Sequence, residues 1–236
     1  MTYQADSKQH ANVGYIGKFV IAGIFGGAAL FSSNVANAAF VPTDIGFSSN
    51  GAQDGAELFS VKDTDGGADD IAAFLLFEGG SFAPNNTFGI YAAGNTSTTL
   101  QVFSGANSPS FIGKTIRWDP SGSVCIWSGS ACVGSSVTGI DKNNFGFYLT
   151  SPQGSFFSET NLNTDGFDHL LSFFVNGDGG MDYVFGWEDL KGGGDKDYDD
   201  MVVGIHDVNA VPIPAAAWLL GSALMGLVLI NRRPEV

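Results

Sequence analysis

Between residues 40 and 207, short runs of aromatic and branched residues are broken at close intervals by glycine, asparagine, aspartate and serine, and this spacing most restricts the fold. Ten runs have strand character: 57–61, 72–77, 88–91, 98–103, 115–118, 124–127, 144–150, 169–175, 183–187 and 201–205. Segments such as Asn176-Gly177-Asp178-Gly179-Gly180 separate them and tolerate the positive φ of tight turns. No amphipathic helical pattern longer than about ten residues is present. Many short strands at such intervals build a β-sandwich or a jelly-roll-like domain. The 20 phenylalanines suit the core of such a body better than a ligand platform, because aromatic rings fit a half-buried pleated surface. The expected fold is therefore all-β.

Six carboxylates, Glu188, Asp189, Asp195, Asp197, Asp199 and Asp200, then fall within thirteen residues, against only Lys191 and Lys196. Two like charges about 4 Å apart repel by about 4 kcal/mol at an effective dielectric near 20. A folded loop that gathers several of them needs a cation, a proton or a hydrogen-bond cradle. Gly192, Gly193 and Gly194 allow the backbone to wrap around an ion, and Asp195, Asp197 and Asp199 place hard oxygen donors at every second position. Calcium, which takes six to eight such oxygens in irregular geometry, is the cation this pattern suits. The loop is not an EF-hand. Asp200 stands where that loop requires glycine, His206 where it requires a bidentate glutamate, and a strand follows in place of a helix. The alternative is an acidic hairpin loop left in solvent. Asp63, Asp65, Asp69 and Asp70 form a possible second metal loop, and Asp178 with Asp182 a weaker third; a solvated turn is the alternative for each.

The order of aromatic residue, Glu-Asp, glycine run, D-x-D-Y-D-D and apolar strand resembles the bacterial domain-of-unknown-function family 4114. The preceding NLNTDGFDHLLSF, residues 161–173, resembles that family's upstream segment, and the likeness spans roughly residues 141–207. Asp199 replaces the family's usual asparagine and adds a charge. The resemblance implies an exported surface or matrix domain with cation binding and no established catalysis. Between residues 39 and 210 there are 22 acidic residues and 6 basic ones, a field that repels nucleic acid and anionic lipid and draws divalent cations and basic partners. Cation binding would relieve that self-repulsion.

Both ends of the chain read as processing segments. Lys8, His10 and Lys18 precede an apolar run over 19–31, and Ala36-Asn37-Ala38 offers small residues for cleavage, so 1–38 is expected to be a signal peptide. A membrane anchor is the alternative, although so short a run falls below spanning length. No twin arginine occurs within residues 1–38, which favours the general export route. At the other end Val211-Pro212-Ile213-Pro214 breaks structure, 215–230 is uncharged, and Arg232 and Arg233 follow. Twenty residues counted from Val211 span about 30 Å as a helix, enough for a single transmembrane segment. The arginines would stay cytoplasmic and the acidic ectodomain of 39–210 would lie outside. The layout of 211–236 resembles the VPLPA type of PEP-CTERM sorting signals, with isoleucine in place of the usual leucine. That resemblance implies cleavage by an exosortase-type sorting protease in a Gram-negative cell envelope; a plain tail anchor is the alternative. Cys125 and Cys132, the only cysteines, flank a Ser128-Gly129-Ser130 turn and are expected to form a disulfide that staples a hairpin.

Enzymatic signatures are sparse. Outside the expected signal only His169 and His206 are available for acid–base work, and no G-x-S-x-G, P-loop, H-E-x-x-H or paired C-x-x-C pattern occurs. His169, just before an apolar run, is expected to hydrogen-bond at a strand end. Trp118, Trp127 and Trp187 could stack on sugar rings, with packed core an equal alternative for Trp187 beside Glu188, which makes a polysaccharide-binding module the second reading. A glycoside hydrolase using two of the carboxylates is the third.

Overall fold

The computed structural model describes residues 39–64, 66–105 and 112–212. The chain divides into two units, Met1–Val35 and Ala36–Val236, and every described residue belongs to the second. The expected signal peptide, the transmembrane helix and Ile213, Pro214, Arg232 and Arg233 of the sorting signal lie outside the described residues. Among the described residues no helix is long and apolar enough to cross a membrane.

The described residues form fourteen strands: β1 (Ala52–Gln53), β2 (Phe59–Val61), β3 (Asp70–Glu78), β4 (Thr87–Ala92), β5 (Asn95–Ser104), β6 (Ile112–Trp118) and β7 (Ser123–Ser128), followed by β8 (Ala131–Thr138), β9 (Phe145–Ser151), β10 (Gly154–Phe157), β11 (Leu170–Phe174), β12 (Tyr183–Trp187), β13 (Met201–His206) and β14 (Val208–Ala210). One sheet runs β1-β11-β12-β13-β3-β6-β7-β8. The other runs β14-β2-β9-β4-β5, with β10 also paired to β9. Every pairing between named strands is antiparallel. The fold is all-β, as expected, and the two sheets face each other over one core in the manner of a β-sandwich.

Each of the ten expected runs falls on a strand, and 183–187 does so to the residue. Four strands were not expected: the short β1, β10 and β14, and the longer edge strand β8. It reads ACVGSSVT, is exposed along most of its length, and pairs through its backbone with β7. With no large alternating side chains to bury, it carries no periodic signal. The expected Cys125–Cys132 disulfide joins these two strands.

Alternation along the strands sends one set of side chains inward. From β12 these are Tyr183, Phe185 and Trp187, from β13 Met201, Val203 and Ile205, and from the opposite sheet Phe59, Phe88, Phe145 and Phe147. Phe147 sits at the centre, with ring centroids 4.9 Å from Phe185, 5.2 Å from Phe59 and 5.7 Å from Phe88. Such edge and offset contacts add roughly 0.5–1.5 kcal/mol per pair beyond area burial.

β12 and β13 are buried on both faces. On the outward face Val184 and Val202 lie beneath Phe40 and Phe47 of the entering segment. Gly186 lets that cover approach, since a Cβ there would stand 2.6 Å from the Tyr198 carbonyl and 2.9 Å from the Phe40 ring. The hairpin of β12 and β13 is thus held on both sides, and the acidic residues form its connection.

Phe147→Ala removes the ring on which both sheets converge. It should lower unfolding free energy by about 3–5 kcal/mol, measured by urea titration; a loss below about 1 kcal/mol would contradict the shared core.

Candidate metal centre

Trp187 pairs with Met201 at the end of the β12–β13 ladder, so residues 188 and 200 close the base of the connecting loop. Two central strands anchor it. Along the loop Gly194, Lys196 and Tyr198 take positive φ (42°, 61° and 56°), alternating with Asp195, Asp197 and Asp199. In an extended strand the side chains of i and i+2 residues lie roughly 6.5 Å apart. Alternate left-handed residues curl the backbone and draw the aspartates together, although positive φ at a non-glycine residue costs about 1–2 kcal/mol.

The curl brings carboxylate oxygens of Glu188, Asp195 and Asp197 within 4.8 Å of one another. Opposed ligands on one calcium ion are separated by roughly 4.6–5.2 Å, twice its bond length, so the three can share an ion. Glu188 is fully buried. Its Oε1 accepts the Tyr198 N–H at 3.1 Å, while its Oε2 has no hydrogen-bond partner. An orphaned buried carboxylate oxygen costs several kcal/mol unless a proton or cation answers it. Burial pushes the Glu188 carboxyl up to about 8, and the charges of Asp200, Asp197 and Asp195 add to the rise.

Of the six acids, the structure brings Glu188, Asp195 and Asp197 together and places Asp189, Asp199 and Asp200 apart from them. Asp189 and Asp200 form a separate buried pair, with the Asp189 N–H donating to Asp200 Oδ2 at 3.0 Å and Asn86 Nδ2 to Asp189 Oδ2 at 2.9 Å. Burial raises both, Asp200 to about 7. Asp199 is half-buried and shares a shallow groove with Asp44, Phe40 and Phe77. Burial, followed by the charge of Asp197, pushes it up to about 6. The division follows from alternation, because successive residues leaving a strand project to opposite sides.

The segment before β11 braces the loop. Asp165 accepts the Gly192 N–H at 2.7 Å, and His169 lies between Asp165 Oδ2 (3.1 Å from Nε2) and the Glu188 carbonyl (2.9 Å from Nδ1). The His169 ring stacks on Phe156 at 3.7 Å. Burial alone would raise Asp165, but the Gly192 and Phe167 N–H groups and His169 outweigh it and hold the carboxyl at about 2. The strand-end role expected of His169 is the one it occupies. From the opposite side the Phe40 N–H donates to the Asp197 carbonyl at 2.6 Å, tying the entering segment to the loop.

Among the described residues Asp63, Asp69 and Asp70 do not form such a group, and Asp178 and Asp182 stand apart. Asp63 accepts the Gly66 N–H within its own turn, Asp69 pairs with Lys142 at 2.6 Å, and Asp70 begins β3 opposite Arg117. Asp65 lies outside the described residues. Asp178 is taken by Ser48, whose N–H and hydroxyl donate to it. Asp182 stands instead with His206 and Asp207, where Lys62 at 2.7 Å and the N–H groups of Asp207 and Val208 already meet its charge. Trp118 and Trp187 are buried in the core, which removes both from sugar stacking. The Trp127 ring is covered by the Arg117 guanidinium at 4.3 Å. Sequence reasoning missed Asn86, which precedes β4 and lies 103 positions from its partner Asp189.

The fold and this site define an antiparallel β-sandwich that bears a carboxylate-lined hairpin connection at one end. Residues 133–207 match the family model of a domain of unknown function (DUF4114), a span that runs from within β8 to just past β13 and contains the acidic loop. No match was found among curated proteins or among solved structures.

Glu188, Asp199 and Asp200 have raised values, so in the ion-free folded state they hold protons that an unfolded chain has already released by about pH 5. Stability must therefore fall as pH rises from 5 towards 8. In chelator the melting temperature should be lower at pH 8 than at pH 5.5, and calcium should raise it more at pH 8. A chelated protein that is equally stable at both values would rule out this electrostatic account.

Proposed function

We propose that this chain is an exported, envelope-sorted surface or matrix protein whose β-domain is stabilised by calcium bound at Glu188, Asp195 and Asp197. The observation that carries the reading is the fully buried Glu188, whose Oε2 has no hydrogen-bond partner and whose carboxylate stands within ion-sharing distance of two further carboxylates. Hard oxygen ligands on a loop with no thiol or imidazole among the three select an alkaline-earth ion over zinc or copper. The role is structural or adhesive and non-enzymatic: the ion rigidifies the end of the sandwich that carries the entering segment and the β12–β13 hairpin.

Export rests on the signal-like residues 1–38, and sorting on Val211-Pro212-Ile213-Pro214 with Arg232 and Arg233. The partner in this reading is an exosortase-type protease that releases the domain from a transient membrane anchor into the Gram-negative envelope or an exopolysaccharide matrix. The Cys125–Cys132 disulfide accords with an oxidising destination. Nucleic acid is not a partner, because the acidic field repels it. Polysaccharide contact by tryptophan stacking is the weaker reading, since Trp118 and Trp187 are enclosed.

Thermal unfolding of the full chain in calcium and then in chelator tests the ion. An ion bound only by the folded state at a hundredfold excess over its Kd adds about 2.7 kcal/mol, a rise in Tm of roughly 5–10 °C. Asp195→Asn combined with Asp197→Asn should abolish the rise. An unchanged wild-type Tm would sink the proposal.

A further inference from the structure

We propose that Asn86, Asp189 and Asp200 form a second site for a hard divalent cation such as calcium, distinct from the one lined by Glu188, Asp195 and Asp197. Neither site requires the other. Asp189 and Asp200 are 2 % and 8 % exposed, and no lysine, arginine or histidine among the described residues forms an ion pair with either. Asn86 is wholly buried against them. Its Nδ2 lies 2.9 Å from Asp189 Oδ2, while its Oδ1 has no partner.

An amide carries two donors and an acceptor, and burying the acceptor unanswered costs about 1–3 kcal/mol. The nitrogen and oxygen of an amide exchange places on a half-turn with little change of shape. That turn would set the oxygen about where Nδ2 now stands, at a spacing from Asp189 Oδ2 that two ligands of one ion adopt. The asparagine and the two aspartates then supply three hard oxygens, and water completes the six to eight that calcium takes.

Gly80 shapes the cradle. A Cβ there would stand 2.5 Å from Asp200 Oδ1, so any larger residue would push that oxygen out of place. The Ser151 hydroxyl holds the Asp189 carbonyl at 2.6 Å, and the Gly79 N–H holds the Asp200 carbonyl at 3.0 Å. The backbone of both acids is thus fixed from β9 and from the end of β3. Gly79, Gly80 and Asn86 lie outside the segment that matches the family model, so the site joins two separate parts of the chain.

Native mass spectrometry of the full chain, titrated with calcium chloride after chelation, counts the ions. Two are expected for the wild type, one after Asp200→Asn and one after Glu188→Gln. Asn86→Asp preserves shape and adds a charged ligand, so it should retain two ions and lower one apparent Kd by about tenfold. A purely structural asparagine would give no such gain. One wild-type ion that is lost on Glu188→Gln and kept on Asp200→Asn overturns this site and leaves the first intact. One that survives Glu188→Gln and is lost on Asp200→Asn sustains this site and sinks the first. No bound ion removes both, and Asn86→Asp without tighter binding overturns this one even if other variants fail to fold.

Discussion

Negative charge buried at the base of the β12–β13 connection is the constraint to which the surrounding structure answers. Glu188, Asp189 and Asp200 are drawn out of water between two central strands, with no basic side chain among the described residues forming an ion pair with them. Removing an ionised carboxylate from water costs several kcal/mol even after relaxation. The folded state must therefore protonate these groups or neutralise them with a bound cation. Both routes make the end of the sandwich sensitive to its medium, and the second turns that sensitivity into stability wherever divalent ions are abundant.

The strain is contained because the loop is braced from several directions. Below it lies the aromatic core, with Trp187 and Phe185 meeting Phe88 and Phe147 of the opposite sheet. On one side Asp165 and His169 hold Gly192 and the Glu188 carbonyl; on another, Phe40 holds the Asp197 carbonyl. These restraints also explain how left-handed Lys196 and Tyr198 persist in a short segment, since surrounding contacts over-determine a backbone that is unfavourable by itself. A cation bound here would act on the entering segment, the segment before β11 and the hairpin together.

Much of the fold was legible because strands with one buried face must alternate and turns must admit positive φ. Leu75 on β3 and Phe147 on β9 declare themselves in this way. β8 did not, because an exposed edge strand needs only its backbone. The acidic cluster was equally plain, but its partition was not: Glu188 and Asp189 are neighbours in the chain and belong to different groups in space. The tryptophans were ambiguous for a related reason. A large ring beside a carboxylate looks the same in sequence whether it faces a ligand or the core, and burial alone separates the two.

By itself the sequence determined that this chain folds as sheets, that Cys125 and Cys132 lie close enough to join, and that a dense acidic loop follows Trp187. Each of these depends on residues near one another in the chain, where period, spacing and charge act directly. Only the tertiary structure decided which carboxylates converge, which are enclosed, and that Asn86 and Gly80 stand beside Asp189 and Asp200. Those outcomes depend on strand order and on which ends of the two sheets meet, and long-range contacts of that kind leave no local periodicity to read.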